Sequence, residues 1–582
     1  MLNIESAVRA NYPALTNYPA FITRPVIALF KALSHEKEVN AFLASHHQAG
    51  IPFVDAVLEH LDVSSSANQQ ELENIPCIGK VIIVANHPMG AIDSFSLIQL
   101  VSQMRQNGKV KILANAFLMH TPQMQDMLIP VDNMSGKISR ESFRQIEDAL
   151  AHDEAVIIFP AGEVSRFRPW GVRDQVWKAG FLKLAKRNQT PVLPVYIKAR
   201  NSVLFYLVSM IYKPFATVLL PHEMLKARKS RLKITVGELV HERAFLRSTL
   251  PLKQHAKLFR KHLYRIAQGK PGIYATEKCI ARPERRQLIR QELRNSEMIG
   301  KTSDGKAIYL VGYSSAPVLV REVGRLREYT FRKVDEGTGG KRDIDSFDAY
   351  YRHIVLWDDD ELEVVGAYRV GECGKIMHET GTTGLYMKEL CTFSEAFCNE
   401  VLPHAIELGR SFVQPRYWGS RALDYLWQGI GAYLKHHPEV THMYGPVSIS
   451  HSYPKAARDA LVYFYLRYFA SDEQYMTALT PYRLSDLTLD EMDAYFMGSD
   501  YAENFKMLRS YLKALDVGVP TLFKQYGDLC EAQGVRFFDF GLDKDFGDCI
   551  DGYLLVDIHR IKDSKRKRYI GAALSDDETG GC

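Results

Sequence analysis

Between residues 78 and 240, five short apolar runs recur, at 81–85, 109–114, 155–160, 191–197 and 232–236, and each gap is long enough to hold a helix. Runs of this length, rich in Val and Ile, read as strands buried on both faces. The helical periodicity between them supplies the covering layers, so this stretch is expected to fold as an α/β domain. At 582 residues the chain exceeds one ordinary core, and two or more domains are expected. With 46% apolar and 24% charged residues it has the composition of a folded protein. No basic region followed by a continuous apolar stretch opens the chain, so no secretory signal is expected. Eight cysteines are scattered without a C-x-x-C pair, which argues for reduced thiols over a zinc site or a disulfide frame.

The first run ends in Ala85-Asn86-His87-Pro88-Met89-Gly90-Ala91-Ile92-Asp93. A strand that delivers His87 and then Asp93 can build a general base: the imidazole takes a proton from a hydroxyl, while the carboxylate holds its tautomer. The following helix is expected to begin near Asp93, which places the pair at the C-terminal end of a strand, where ligands of α/β sheets bind. The alternative is a structural histidine capping a strand end. A second segment lies downstream, Val156-Ile157-Ile158-Phe159-Pro160-Ala161-Gly162-Glu163-Val164-Ser165-Arg166. Together the two resemble the signatures of the glycerolipid acyltransferase family, N-H-x4-D and F-P-E-G-T. The His-to-Asp spacing here is one residue longer, with Gly90 able to absorb it as a tight loop, and Ala161 stands where the family has Glu. In the phospholipid enzymes the second motif is associated with the acceptor phosphate. Its alteration points to the divergent branch that O-acylates lyso-amino-acid lipids. The resemblance implies acceptor contacts at Gly162, Glu163, Arg166 and Lys178, a positioning role for Asn86, and an acyl pocket lined by Pro191 to Val195, which reads equally well as a plain buried strand.

Charge is unevenly spread. Residues 1–300 hold 40 Lys and Arg against 25 Asp and Glu, whereas residues 301–582 hold 33 against 43. The basic excess concentrates in 201–300 and suits an anionic membrane surface or an acidic protein partner. No nucleic-acid-binding signature accompanies it. The apolar run 203–211 is too short to span a bilayer and reads as either an interfacial element or a buried helix. The basic, helical segment 252–294 either lies on headgroups or is a solvated face. These features suggest an N-terminal helical segment (1–75), an α/β domain (76–270), a basic linker (271–305) and a second domain (306–582).

The second domain begins with a helix expected over 321–332. Asp343-x-Asp345-x-x-Asp348 follows, then a strand at 353–357, Gly366-x-x-Arg369 and Glu407-x-x-Arg410. This order resembles the acyl-carrier-protein-using branch of the GNAT superfamily, which holds the ornithine N-acyltransferases and the acyl-homoserine-lactone synthases. The stretches Pro446 to Ser450 and Asp539 to Asp557 fit the ornithine-acylating members. The resemblance implies an α+β fold whose neighbouring strands splay to hold the donor's pantetheine arm. Acylating an amine needs a deprotonated nucleophile beside a thioester carbonyl, and Glu407 is the candidate base or water-positioner. Asp343, Asp345 and Asp348 either hold an ammonium group or structure the helices; Arg369 and Arg410 either pin a carboxylate or lock the acidic cluster. Each also reads as a structural ion pair.

The combined expectation is a bifunctional acyltransferase. The second domain N-acylates an amino acid, ornithine first among several, with a 3-hydroxyacyl group from acyl carrier protein. The first then O-acylates the new hydroxyl of the lyso-lipid. No metal or redox cofactor is implied, and the expected location is peripheral, on the cytoplasmic face of a bacterial inner membrane. Other readings stay open: a lysophospholipid acyltransferase whose second half is a carrier- or lipid-binding module, or a non-enzymatic, haemolysin-like membrane-binding protein.

Overall fold

The computed structural model describes residues 20–33, 35–115, 121–131, 139–169, 171–211, 219–246 and 248–571. It divides into two compact units, Met1–Cys279 and Ile280–Cys582.

The first unit holds strands β1 (Ser64–Ser66), β2 (Val81–Ala85), β3 (Val110–Asn115), β4 (Leu128–Val131), β5 (Ala155–Ile158), β8 (Val192–Lys198) and β9 (Arg231–Val236), in the order β1-β9-β8-β2-β5-β3-β4. Within this sheet, among the described residues, only the β8–β9 pair is antiparallel. The five apolar runs became β2, β3, β5, β8 and β9. In β2, Val81, Ile83 and Ala85 enter one core while Ile82 and Val84 enter another, as the alternation of a strand covered on both faces demands. Helices α1 (Ala91–Met104), α2 (Val203–Ile211) and α3 (Leu252–Ile266) accompany the sheet. A hairpin of β6 (Arg166–Arg168) and β7 (Gly171–Arg173) stands apart from it.

Three features depart from the sequence pattern. The segment 1–75 is not purely helical: Ser64–Ser66 pairs with β9 at the sheet edge, and residues 1–19 lie outside the described residues. A serine triplet carries no apolar alternation, so nothing marked it as a strand. The helix begun at Leu252 ends at Ile266, well short of 294. Residues 286–301, expected within a linker, form helix α4 (Arg286–Arg294) and strand β10 (Glu297–Lys301) of the second unit.

That unit is built on an eight-stranded sheet, β10-β11-β12-β13-β15-β16-β19-β18. The remaining strands are β11 (Ala307–Gly312), β12 (Arg352–Asp358), β13 (Glu363–Glu372), β15 (Ala405–Val413), β16 (His442–Ile449), β18 (Val535–Asp543) and β19 (Cys549–Asp557), with a separate pair, β14 (Cys391–Phe393) and β17 (Met476–Ala478). Ile354 and Leu356 of β12 pack with helix α6 (Ala422–His436) on one face; Val355 and Trp357 pack with α5 (Pro317–Arg332) on the other.

Within the sheet only β15 and β16 run parallel, and their pairing lasts from Ala405–His442 to Glu407–Tyr444. Both strands continue for several residues beyond it, so they diverge there. At this fork a Cβ on Gly445 would stand 2.0 Å from the Leu408 carbonyl oxygen, an approach only glycine permits. Several charges of α5 are buried and paired. Arg325 pairs with Glu322, Arg332 with Glu328, and Arg327 reaches Asp348. Among the described residues no helix is long and apolar enough to cross a membrane.

Candidate active site

In the first unit the chain leaves β2 at Ala85, and Asn86 immediately ties the strand end to its neighbour. Its side-chain amide donates to the Ile197 carbonyl (2.9 Å) and accepts from the Ile197 N–H (2.7 Å), standing in for a missing ladder step. Gly90, at φ 97°, turns the chain into α1 and absorbs the extra residue between His87 and Asp93. Asp93 sits in the first turn of α1, fully buried. Its Oδ2 accepts from the backbone N–H groups of Met89 (2.7 Å) and Gly90 (3.0 Å), satisfying orphan donors of the helix start. The same oxygen lies 3.2 Å from Nδ1 of His87. The contact is an ion-pair approach short of an aligned hydrogen bond, and such pairs tighten when substrate arrives. The imidazole is stacked on Phe159 (centroids 4.0 Å) and stays partly exposed. With Nδ1 facing a carboxylate, Nε2 is the nitrogen left to accept a proton.

The second motif is bonded to this loop: the Ser165 N–H donates to the His87 carbonyl (2.7 Å). Gly162, at φ 70°, leaves space occupied by Nζ of Lys178, 3.3 Å from where a Cβ would be. Glu163 pairs with Arg166 at 3.6 Å. Arg166 is buried over the Phe205 ring, and its Nε and Nη1 have no hydrogen-bond partner among the described residues. Burial lowers the pKa of this guanidinium against the pull of Glu163. A buried cation with two vacant donors, one residue from the Ser165 that binds the His87 carbonyl, suits an anionic group. The structure thus brings Asn86, His87, Asp93, Gly162, Glu163, Arg166 and Lys178 to one end of β2 and β5.

Asp174 is the residue sequence reasoning passed over as a functional group. Its buried carboxylate accepts from the His87 backbone N–H (3.2 Å), the Ser165 hydroxyl (2.5 Å) and the Trp177 indole (2.8 Å). Burial raises its pKa, and these three donors oppose the rise. It is a positioning residue joining both motifs. The Asp-x-x-Trp spacing is the one local sign of it.

In the second unit Asp343, Asp345, Asp348, Arg369 and Arg410 form one ion-pair cluster with a sixth residue, Arg327. Arg327, from α5, grips Asp348 through two parallel bonds (3.0 and 2.8 Å) and donates to the Asp343 carbonyl. Arg369 binds both oxygens of Asp345 (2.6 and 2.7 Å) and is enclosed by Phe347, Tyr351 and Tyr386. Arg410 lies 3.7 Å from both Asp343 and Asp345 and sits at φ 50° in a bulge of β15 against β13. Burial opposes ionisation of Asp348, yet Arg327 and Arg369 hold it below the usual carboxylate range. Of the two roles open to these groups, the geometry realises the cluster lock. Arg327→Met leaves Asp348 buried without its main counter-charge and is expected to cost about 3 kcal/mol or more. Chemical denaturation followed by a probe in the second unit measures it.

Glu407, on the same face of the sheet as Arg369, is buried beside Tyr351, Cys373, Met387 and Tyr444. Its Oε2 accepts from the Tyr444 hydroxyl (2.9 Å) and its Oε1 from the Met387 N–H (3.3 Å). Burial pushes its pKa up to about 7, against the lowering effects of Tyr444 and the Arg369 charge. A carboxyl poised near neutrality, at the fork of β15 and β16, is suited to take a proton from an amine. Tyr444 had no sequence signal, because it lies opposite Glu407 only through strand pairing.

Comparison with known proteins finds relatives of both units. A family model described as an acyltransferase matches residues 11–270, and one described as an acetyltransferase (GNAT) domain matches residues 326–428. A glycine N(alpha)-acyltransferase of Bacteroides thetaiotaomicron is 32% identical over 304 residues, covering 50% of this chain and 89% of that protein. A lyso-glycine lipid O-acyltransferase of Phocaeicola vulgatus is 31% identical over 253 residues, covering 42% of this chain and 89% of that protein. An L-ornithine N(alpha)-acyltransferase of Rhizobium meliloti is 34% identical over 154 residues, covering 25% of this chain and 50% of that protein. With relatives of two acyltransferase kinds matched over most of their lengths, the chain belongs to the acyltransferases of amino-acid lipids, an acyltransferase domain followed by a GNAT domain.

Proposed function

We propose that this protein makes a diacylated amino-acid lipid in two steps. The observation that carries the reading is the presence in one chain of two separate proton acceptors, His87 beside Asp93 and Glu407 beneath Tyr444. In the first step ionised Glu407 takes a proton from the ammonium of an amino acid. The amine attacks the carbonyl of a 3-hydroxyacyl thioester on acyl carrier protein, a C–N bond forms, the C–S bond breaks, and the thiol leaves with a proton. In the second step Nε2 of His87 takes the proton of the 3-hydroxyl as it attacks a second acyl thioester. The imidazolium, stabilised by Asp93, returns that proton to the departing thiolate. Arg166 and Lys178 hold the free carboxylate of the lyso-lipid. Ornithine is the proposed amino acid. Glycine is the second reading, favoured because the glycine-named relatives align over nearly their whole lengths. The lyso-lipid is an amphiphile, so the protein works peripherally at the cytoplasmic face of the inner membrane.

The test is expression in a bacterium that lacks amino-acid lipids, fed labelled ornithine or labelled glycine, with lipid mass spectrometry. A new diacylated lipid carrying one label is the expected result. Its absence from cells holding the folded protein would overturn the reading. Parallel assays with purified acyl carrier protein and coenzyme A thioesters decide the donor.

A further inference from the structure

Helix α2 is two-sided in an unusual sense. Phe205 and Tyr206 are buried, whereas Val203, Leu204, Leu207 and Met210 are 75%, 56%, 50% and 59% exposed. These four lie at i, i+1, i+4 and i+7, on one face of the helix. Single exposed apolar residues are ordinary, but a whole helical face is a binding surface. The hairpin that packs on α2 adds Phe167, 53% exposed at its tip.

The buried side of α2 is fastened to the His87 loop. The Asn201 side chain donates to the Pro88 carbonyl (3.1 Å), and its N–H donates to the Tyr206 hydroxyl (3.0 Å). Ser202 is held at both its N–H (2.6 Å) and hydroxyl (2.7 Å) by Glu223, and Arg166 lies over Phe205. Cations flank the apolar face. Lys198 and Arg200 precede the helix and are exposed, as is Arg168 beside Phe167. Arg168 also lines a cavity of about 730 Å³ with Arg173, Lys257, Lys261 and Arg265, whose one acidic lining residue, Asp174, is buried.

We infer that α2 and the tip of the β6–β7 hairpin form the surface that enters a lipid monolayer bearing anionic headgroups, directly beside the His87 loop. An apolar helical face bordered by Arg and Lys is the chemistry of an interfacial element: side chains reach the acyl boundary while the cations meet the headgroups. The purpose of this placement, drawing a lyso-lipid to His87 without leaving the membrane, rests on the proposed O-acylation; the binding itself does not.

The experiment is flotation of the full-length protein with phosphatidylcholine vesicles, with and without phosphatidylglycerol. Leu204→Asp combined with Leu207→Asp is expected to cut the vesicle-bound fraction about tenfold or more. Arg168→Glu combined with Arg200→Glu is expected to abolish the preference for phosphatidylglycerol. Unchanged thermal unfolding shows that both variants are folded. A wild type that stays unbound, or aspartate variants that float as it does, would overturn the inference. So would charge-reversed variants that float normally but show a raised KM for an acyl carrier protein donor, which would assign the cations to a protein partner. Failure of the wild type to acylate a detergent-dispersed lyso-lipid counts instead against the proposed function, and leaves the flotation result standing.

Discussion

His87→Ala is expected to stop the second acylation, so that mono-acylated lyso-lipid accumulates and the diacyl lipid disappears. Loss of a positioned general base costs about 10²- to 10⁴-fold in rate. The substitution is clean, because the loop is anchored by main-chain groups. The His87 N–H binds Asp174 and its carbonyl accepts from Ser165, and neither bond needs the imidazole. Only the stacking on Phe159 and the approach to Asp93 are lost. N-acylation in the same cells should proceed unchanged and serves as the internal control. Diacyl lipid at wild-type levels from the folded variant would place the proton acceptor elsewhere.

Glu407→Gln is expected to remove both lipid products while leaving conversion of supplied lyso-lipid intact. Glutamine keeps an oxygen to accept from Tyr444 but cannot accept a proton. Because burial sets the Glu407 pKa at about 7, wild-type N-acylation should rise with an inflection near pH 7, whereas the residual rate of the variant, following only the free-amine fraction, should climb through that range without it. The same residue has a stability signature of opposite direction. Its folded pKa is raised above the unfolded value, about 4.3, so the native state keeps a proton that the unfolded chain releases. Stability is therefore full below about pH 4 and is lost as pH climbs toward 7, by on the order of 3 kcal/mol. Glutamine carries no such penalty, so at pH 8 the second unit of the variant should unfold later than that of the wild type. An inactive variant that is more stable at pH 8 separates a catalytic carboxyl from a structural one. A wild-type profile with no inflection near pH 7, parallel to that of the variant, would sink the role assigned to Glu407.

The local chemistry of both sites was legible in residue order. Apolar runs announced β2, β5 and β8, where both faces are covered and nearly every position is apolar, and β3 and β9, whose apolar residues are interrupted by lysines. His87 and Asp93 were readable because a strand end and the first turn of the next helix lie only a few residues apart in the chain. The positions of Glu407 and of Arg410 followed from a short spacing in the same way. Ser64–Ser66 was not legible, being an edge strand without an apolar pattern. Helix α5 was expected over 321–332, but the partners of its charges were not legible, because sequence cannot say whether a charge is solvated or met by a distant partner.

What the order of residues determined on its own was the pair of acyl-transfer motifs and the two layered domains that carry them. The tertiary structure alone decided which roles the shared residues take. Asp343, Asp345 and Asp348 met Arg327, Arg369 and Arg410 and became a lock, while Glu407 stayed outside these ion pairs with its pKa pushed up to about 7 by burial. Asp174 became the hub joining two motifs, and Tyr444 the partner of Glu407, through contacts 87 and 37 residues apart. The physical reason is that a pKa and a hydrogen bond depend on distance and burial in space. Both are settled by packing between segments whose separation along the chain carries no signal.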